Sequence, residues 1–209
     1  MTKLQVAIDL LNTKDALALA EKVAPYVDII ELGTPLIKSE GVSVIRAMKD
    51  AFPDKQVFAD FKTADTGELE AGLAFDAGAD FVTILGSVDD ATIKGAVKAA
   101  NERNKGVVVD TIGVKDRVQR AKEVSSFGVK FVELHAGLDE QALDGYSVQV
   151  LIDEAISAGV PVSIAGGVNK DTIKAVKESG AVVAVAGGAI YGAEDPAAAA
   201  KELRDILNA

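Results

Sequence analysis

Residues 57–65 read VFADFKTAD, a stretch in which a short apolar run ends abruptly in charged side chains. Its first three residues suit a buried strand, whereas Asp60, Lys62 and Asp65 follow where that strand should emerge from the core. Apolar strands with functional residues at their carboxyl ends are typical of parallel sheets covered by helices. The stretch therefore indicates a strand of a parallel α/β fold, and its charges form either a reaction site or a surface salt bridge.

Similar β-rich apolar runs recur along the whole chain. They occupy residues 4–9, 28–33, 56–61, 81–86, 106–111, 130–135, 160–166 and 181–187. Segments with helical spacing lie between them, including 14–24, 89–102, 116–127 and 171–179, and glycines precede several strands where a helix should stop. Eight such units predict a single (β/α)8 (TIM) barrel over residues 1–209. An open doubly wound sheet is the rival, but no G-x-G-x-x-G follows the first strand.

Composition excludes several classes of function. The 209 residues carry a formal net charge of −10 with scattered basic residues, which argues against nucleic-acid or anionic-membrane binding. There is no cysteine, so disulfides and thiolate chemistry are absent. Asp9 interrupts the N-terminal apolar run too early for a signal peptide, and no apolar run approaches the roughly 20 residues of a membrane span. We therefore expect a soluble cytoplasmic protein.

Ionisable residues stand at the predicted carboxyl ends of five strands. In chain order they are Asp9, Glu31, Asp60 with Lys62, Asp110 and His135. Asp9 and Asp110 either cap the turns that follow them or contact a ligand. A buried Glu31 needs a partner, which favours a metal or substrate over a structural salt bridge. His135, the only histidine, is a candidate for proton transfer because imidazole titrates near neutrality.

Two glycine turns follow the seventh and eighth predicted strands. Gly166 and Gly167 form the first pair, and Gly187 and Gly188 form the second. Glycine lets backbone N–H groups approach an anion closely, and these two loops are the usual phosphate site of such barrels. The turns therefore predict a phosphorylated substrate.

The stretch DFKTAD at residues 60–65 resembles the D-x-K-x-x-D motif of the orotidine 5′-monophosphate decarboxylase superfamily, and the resemblance extends over residues 4–207. Within the superfamily, QVAID (5–9), ELGTP (31–35), VDTIG (109–113) and HAGLDEQ (135–141) are most similar to aldolases that add formaldehyde to D-ribulose 5-phosphate. A related branch decarboxylates 3-keto-L-gulonate 6-phosphate, and its members carry an arginine where this chain has Leu138 and a glutamate where it has Asp110. Both differences favour the aldolase.

The resemblance implies a dimeric, Mg²⁺-dependent enzyme that makes D-arabino-3-hexulose 6-phosphate through a 1,2-enediolate. Glu31 and Asp60 would hold Mg²⁺, which prefers oxygen ligands. Lys62 would stabilise the developing oxyanion, and Asp65 would reach into the site of the neighbouring subunit.

The remaining residues receive roles in the same way. His135 is the candidate base, Asp9 and Asp110 would orient substrate hydroxyls, and the four glycines would hold the phosphate. Four alternatives stay open: the 3-keto-L-gulonate 6-phosphate decarboxylase of the related branch, a Schiff-base aldolase using Lys62, a metal-free orotidine 5′-monophosphate decarboxylase, and a non-catalytic phosphosugar-binding protein.

Overall fold

The eight expected strands form a closed barrel. The computed structural model describes residues 1–209, and each strand pairs in parallel with the next, β8 closing onto β1. The strands are β1 Lys3–Ile8, β2 Ile29–Leu32, β3 Gln56–Thr63, β4 Phe81–Leu85, β5 Gly106–Asp110, β6 Phe131–His135, β7 Val162–Ala165 and β8 Val183–Ala186. The predicted (β/α)8 barrel is confirmed.

Helices follow every strand and cover the outside of the barrel. They are α1 Thr13–Val23, α2 Thr34–Glu40, α3 Ser43–Ala51, α4 Gly67–Asp76, α5 Asp90–Arg103, α6 Arg117–Ser125, α7 Leu138–Gln141, α8 Gln149–Ala158, α9 Ile173–Glu178, α10 Gly188–Tyr191 and α11 Pro196–Asn208. None of them combines the length and the apolar character that a bilayer crossing requires. The four helices expected between strands are present, with ends shifted by one or two residues.

Local sequence explains where these helices begin and end. Asp116 caps α6 by accepting a hydrogen bond from the Gln119 backbone N–H. Helix α9 begins at Ile173 rather than at Asp171, because the Asn169 side chain accepts from the Asp171 backbone N–H and holds a turn there. Gly159 follows α8 with φ +65°, a conformation that favours glycine.

Apolar packing divides into two layers. A cluster of 53 buried residues lies between the strands and the helices, and it holds most of the core. A second cluster of eight lies inside the barrel, where Phe58, Phe81 and Phe131 pack with tilted rings and form an apolar floor. The upper half of the lumen is lined instead by polar and charged side chains, so the carboxyl end of the barrel is free to hold a ligand.

Strand β3 is irregular at its carboxyl end. Its register against β4 shifts between Ala59 and Thr63, and Lys62 adopts φ +47°, in the left-handed region. The Lys62 backbone N–H donates to Thr83 Oγ1 at 2.9 Å, which holds this bulge against β4. Bulges of this kind re-aim side chains near active sites, and the strained conformation here fixes the direction of Lys62.

Candidate active site

A cavity of about 1110 Å³ opens at the carboxyl end of the barrel. It is large enough for a sugar phosphate. Most of the residues predicted for the site line it: Asp9, Glu31, Asp60, Lys62, His135, Gly166, Gly167, Gly187 and Gly188. The expected convergence of strand ends on one mouth is therefore observed.

Lys62 lies between two carboxylates. Its Nζ is 2.7 Å from Asp60 Oδ2 and 2.9 Å from Asp110 Oδ2. Burial opposes the charged form of the lysine, but Asp60 and then Asp110 outweigh it and raise the Lys62 pKa above its ordinary value. The ammonium is thus held charged and immobile, with little free amine for covalent chemistry.

Asp110 joins Lys62 to His135. His135 Nδ1 lies 3.0 Å from the same oxygen, Asp110 Oδ2, that contacts Lys62. In neutral imidazole Nδ1 then carries the proton and donates to the carboxylate, which leaves Nε2 as the acceptor. Burial disfavours the Asp110 anion, yet His135 and Lys62 bring its pKa well below the usual range. The pair is arranged for a histidine that takes a proton at Nε2.

The position of Asp110 revises one expectation. Its side chain is completely buried and does not line the cavity, so it has no direct access to substrate hydroxyls. Asp110 Oδ1 accepts from the Ile112 backbone N–H at 2.7 Å, as the turn-capping interpretation requires. Asp110 therefore supports the turn and contributes to the site through Lys62 and His135.

Two threonines that sequence reasoning missed hold Asp60 in place. Thr34 Oγ1 donates to Asp60 Oδ2 at 2.7 Å, and Thr83 Oγ1 donates to Oδ1 at 2.8 Å. These residues come from α2 and β4, so their proximity to Asp60 depends on barrel register. Their ordinary sequence context gives no signal of this role.

Glu31 is buried at the end of β2 with one amide as its partner. Gln5 Nε2 donates to its Oε2 at 2.7 Å, and Oε1 accepts no hydrogen bond from the protein. Burial, and next the charge of Asp60, raise the Glu31 pKa well above its ordinary value. A divalent cation beside Glu31 and Asp60 would offset the repulsion between the two carboxylates. Mg²⁺ prefers oxygen ligands, which both residues supply. Glu31 and Asp60 thus fit a Mg²⁺ site.

Asp9 faces the cavity beside Glu31 and Asp60. Its carboxylate makes no hydrogen bond to the protein, so it is not a turn cap. Burial, and then the charge of Asp60, raise its pKa. Any side chain at position 33 would overlap its Oδ1, which explains why Gly33 stands at this point. Asp9 is therefore free to accept hydrogen bonds from a ligand.

The glycine turns after β7 and β8 line the same cavity. Gly166 has φ +121°, and a Cβ atom there would lie 2.6 Å from the Ala136 carbonyl oxygen. Tyr146 donates its hydroxyl to the Gly166 carbonyl oxygen at 2.8 Å, which fixes the turn. Gly166 and Gly167 are half-buried and line the cavity.

Asp65 lies apart from its own barrel's cavity. It is exposed, and its Oδ1 accepts from the Thr66 backbone N–H at 2.7 Å instead of contacting Lys62. Of the charged motif at residues 60–65, one chain thus assembles Asp60 and Lys62 only.

Glu133 is a site residue that sequence reasoning missed. It lies on β6 two residues before His135, lines the cavity and is 2% exposed. Asp110, Glu133 and His135 each place one side-chain atom able to coordinate a metal within 4.8 Å of the other two. A charged residue inside an otherwise apolar strand run was the available signal.

Comparisons with known proteins agree with this geometry. The model of the orotidine 5′-phosphate decarboxylase / HUMPS family matches residues 2–203. The 3-hexulose-6-phosphate synthase of Mycobacterium gastri is 68% identical over 205 residues, covering 98% of this chain and 99% of its own. A crystal structure of 3-hexulose-6-phosphate synthase superposes with TM-score 0.98 at 67% identity, covering 99% of this chain and all of the other.

A more distant solved structure lies in the related branch. The 3-keto-L-gulonate-6-phosphate decarboxylase from Vibrio cholerae has TM-score 0.86 at 30% identity, covering 99% of this chain and 97% of its own. Identity is thus more than twice as high to the solved synthase as to this decarboxylase. The chain belongs to the orotidine 5′-phosphate decarboxylase / HUMPS family and, within it, to the 3-hexulose-6-phosphate synthases, which are aldehyde-lyases.

Proposed function

We propose that this chain catalyses the Mg²⁺-dependent aldol condensation of formaldehyde with D-ribulose 5-phosphate, giving D-arabino-3-hexulose 6-phosphate through a 1,2-enediolate. The observation that carries the proposal is the contact of both Lys62 and His135 with one oxygen of Asp110, at the cavity that Glu31 also lines. A fixed cation and an oriented proton acceptor are what enolisation beside a carbonyl requires.

The cavity accommodates the sugar phosphate in one direction. The glycine turns after β7 and β8 receive the phosphate, and the carboxylates at the ends of β1, β2 and β3 receive the other end. Asp9, which has no partner in the protein, accepts hydrogen bonds from substrate hydroxyls. This orientation brings the substrate carbonyl to Lys62.

Glu31 and Asp60 are the residues that would hold Mg²⁺. When bound, the metal supplies Lewis-acid polarisation of the substrate carbonyl and the adjacent hydroxyl. The Asp60 hydrogen bonds to Thr34 and Thr83 fix its carboxylate before any ligand arrives. The Asp60 carboxylate is therefore in position before the metal binds.

His135 moves the proton. Its Nε2 takes the proton from carbon one of ribulose 5-phosphate, and the electron pair of the broken C–H bond enters the enediolate. Asp110 stabilises the imidazolium, and Lys62 lies beside the developing oxyanion. Carbon one then attacks formaldehyde, and the oxygen of the new hydroxymethyl group takes up the proton held by His135, which returns the imidazole to its neutral form.

The active unit we propose is a homodimer in which Asp65 serves the other subunit. Leu69 and Leu73 are exposed on α4, close in sequence to the exposed Asp65. Exposed leucines on one helix are typical of an interface, and a second copy would bury them. Within one chain Asp65 does not contact Lys62. In the dimer, Asp65 of each subunit would reach Lys62 of the other.

A direct test follows formaldehyde consumption with D-ribulose 5-phosphate, with Mg²⁺ and again after chelation by EDTA. We expect loss of formaldehyde only when sugar phosphate and metal are both present. No loss in any condition would contradict the proposal and would direct attention to carbon dioxide release from 3-keto-L-gulonate 6-phosphate. Binding of the sugar phosphate without any turnover would instead support a phosphosugar-binding protein.

A second test separates this chemistry from Schiff-base catalysis. Borohydride added with D-ribulose 5-phosphate should leave the mass of the chain unchanged, because Asp60 and Asp110 keep Lys62 in its ammonium form. A stable adduct on Lys62 would overturn the enediolate route.

A further inference from the structure

Glu133 is the buried ionisable group of the lumen to which the proposed reaction gives no role. Alternation along β6 directs Phe131, Glu133 and His135 into the barrel, while Val132 and Leu134 pack outward against the helices. Phe131 belongs to the apolar floor, and His135 lies at the rim. Glu133 therefore occupies the boundary between the floor and the reacting groups.

Glu133 differs from the other three buried carboxylates of the barrel. Asp60 and Asp110 each bind Lys62 and accept further hydrogen bonds, and Glu31 accepts one from Gln5. The Glu133 side chain has no hydrogen-bond partner, and its Oε1 is fully shielded from solvent. A buried carboxylate anion without donors is costly, whereas a neutral carboxylic acid at this place is itself a donor.

The carboxylates around Glu133 disfavour its anion as burial does, and only Lys62 opposes them. Asp110 is its register partner on β5, and Glu31 and Asp60 add negative charge from β2 and β3. Lys62 and His135 bring positive or neutral groups, but both are already engaged by Asp110. Burial and these carboxylates raise the Glu133 pKa well above its ordinary value.

Asp110 has a vacant acceptor position, and one of its carboxylate oxygens lies within 4.8 Å of a carboxylate oxygen of Glu133. Its Oδ1 accepts from Ile112, and its Oδ2 contacts Lys62 and His135. An ionised carboxylate offers about four acceptor positions, so one remains. Asp110 is completely buried, and each added donor stabilises its anion.

We propose that Glu133 is a positioning residue of this site, a neutral carboxylic acid whose hydrogen bond to Asp110 holds that carboxylate in place for His135. Glu133 then acts through Asp110, and what the site uses is its donor rather than its charge. The kinetic part of this inference rests on the proposed function, whereas the protonation state of Glu133 is independent of it.

Two substitutions separate a donor from a charge. Glu133→Gln keeps an N–H donor in a side chain of similar shape. We therefore expect kcat to stay within about threefold of wild type, a smaller change than the loss of one hydrogen bond would cause. Glu133→Leu removes the donor, and kcat should fall about 10- to 100-fold, as for a lost hydrogen bond to a charged group, with a smaller change in KM. Without the donor Asp110 attracts the imidazolium more strongly, so the acid limb of the kcat profile should move to higher pH.

Ser163→Ala is the matched control. Ser163 is the register partner of Glu133 on β7, is equally buried and has an unpartnered Oγ. Its substitution disturbs the same level of the lumen without touching Asp110, so kinetics and pH profile should stay unchanged. An equal loss and the same pH shift in Ser163→Ala would contradict a specific role for Glu133.

Other results would also overturn the inference. A Gln variant as slow as the Leu variant would show that the site needs the charge or a transferable proton. A Leu variant with wild-type kcat and pH profile would show that Glu133 has no part in the reaction.

An infrared measurement keeps the test independent of activity and of the folding of the Leu variant. The wild-type minus Glu133→Gln difference spectrum at neutral pH should contain the carbonyl band of a protonated carboxylic acid. Carboxylate bands in its place would overturn the neutral state even if formaldehyde were never consumed. The presence of the acid band with no formaldehyde consumption would leave that state standing and reject the proposed function alone.

Discussion

Asp110 Oδ2 lies 3.0 Å from His135 Nδ1, and this contact links the buried end of β5 to the rim of the cavity on β6. It fixes which imidazole nitrogen is free to accept a proton, because the nitrogen facing Asp110 carries one. Since Lys62 contacts the same oxygen, the proton acceptor and the oxyanion-stabilising cation are oriented by one carboxylate.

Asp110→Asn should therefore damage catalysis more than binding. An amide presents a donor or a neutral acceptor to His135 and no charge to Lys62, so kcat should fall by about 10² to 10⁴, the range seen when an orienting aspartate is neutralised in catalytic triads. Steady-state kinetics check this, with Asp54→Asn, an exposed aspartate outside the cavity, as the control. A change in KM alone would contradict the orienting role.

Glu31→Gln should abolish metal binding while preserving the fold. The substitution removes one of two carboxylates expected to bind Mg²⁺ but keeps the shape that Gln5 contacts. Titration with Mn²⁺ followed by electron paramagnetic resonance measures binding without reference to activity, and circular dichroism monitors the fold. Glu21→Gln, at an exposed position of α1, is the control. Undiminished Mn²⁺ affinity in Glu31→Gln would remove this metal site.

Gly166→Ala should raise KM for the sugar phosphate. The added Cβ meets the Ala136 carbonyl oxygen in a backbone of positive φ, so the turn must move away from its place beside the cavity. We expect at least about a tenfold loss in kcat/KM, equivalent to roughly 1.4 kcal/mol.

Gly180→Ala separates the two causes of that loss. Gly180 has φ +85° but nothing within 4 Å of an added Cβ, so the variant carries backbone strain without the clash. It should lose some stability and keep its kcat/KM. Equal kinetic losses in both glycine variants would assign the effect to strain and not to the phosphate turn.

Hybrid dimers should reveal whether Asp65 acts across an interface. Lys62→Ala and Asp65→Asn should each be inactive, yet a mixture allowed to exchange subunits should recover about a quarter of wild-type activity, because each hybrid contains one intact site. Mixing each variant with itself is the control. If Asp65 served its own chain, no mixture would recover activity.

Much of the architecture follows from sequence because it depends on local patterns. Each apolar run of four to eight residues became a strand, and the rule that strand ends converge in such barrels placed Asp9, Glu31, Asp60 and His135 around one cavity. The glycine pairs reached the same cavity for the same reason.

The contacts that orient these groups depend on register and were not predictable in the same way. Thr34 and Thr83 contact Asp60 only because β3 pairs with its neighbours in this register. The bulge in β3 sets the direction of the Lys62 side chain, and no residue type in the sequence predicts that bulge. Asp110 was expected at the cavity surface but is completely buried behind Lys62 and His135. The packing of these side chains in the folded barrel determines which of them is covered, and the sequence pattern does not show it.

Exchange of the carbon-one proton of D-ribulose 5-phosphate with solvent reports on proton transfer by His135 alone, because it requires neither formaldehyde nor product formation. In D₂O with Mg²⁺, nuclear magnetic resonance should show wild-type protein replacing one carbon-one proton with deuterium, and His135→Asn should reduce that rate by about 10² or more. Undiminished exchange in His135→Asn, with its fold intact, would mean that another group removes the proton and would contradict the proposed role of His135.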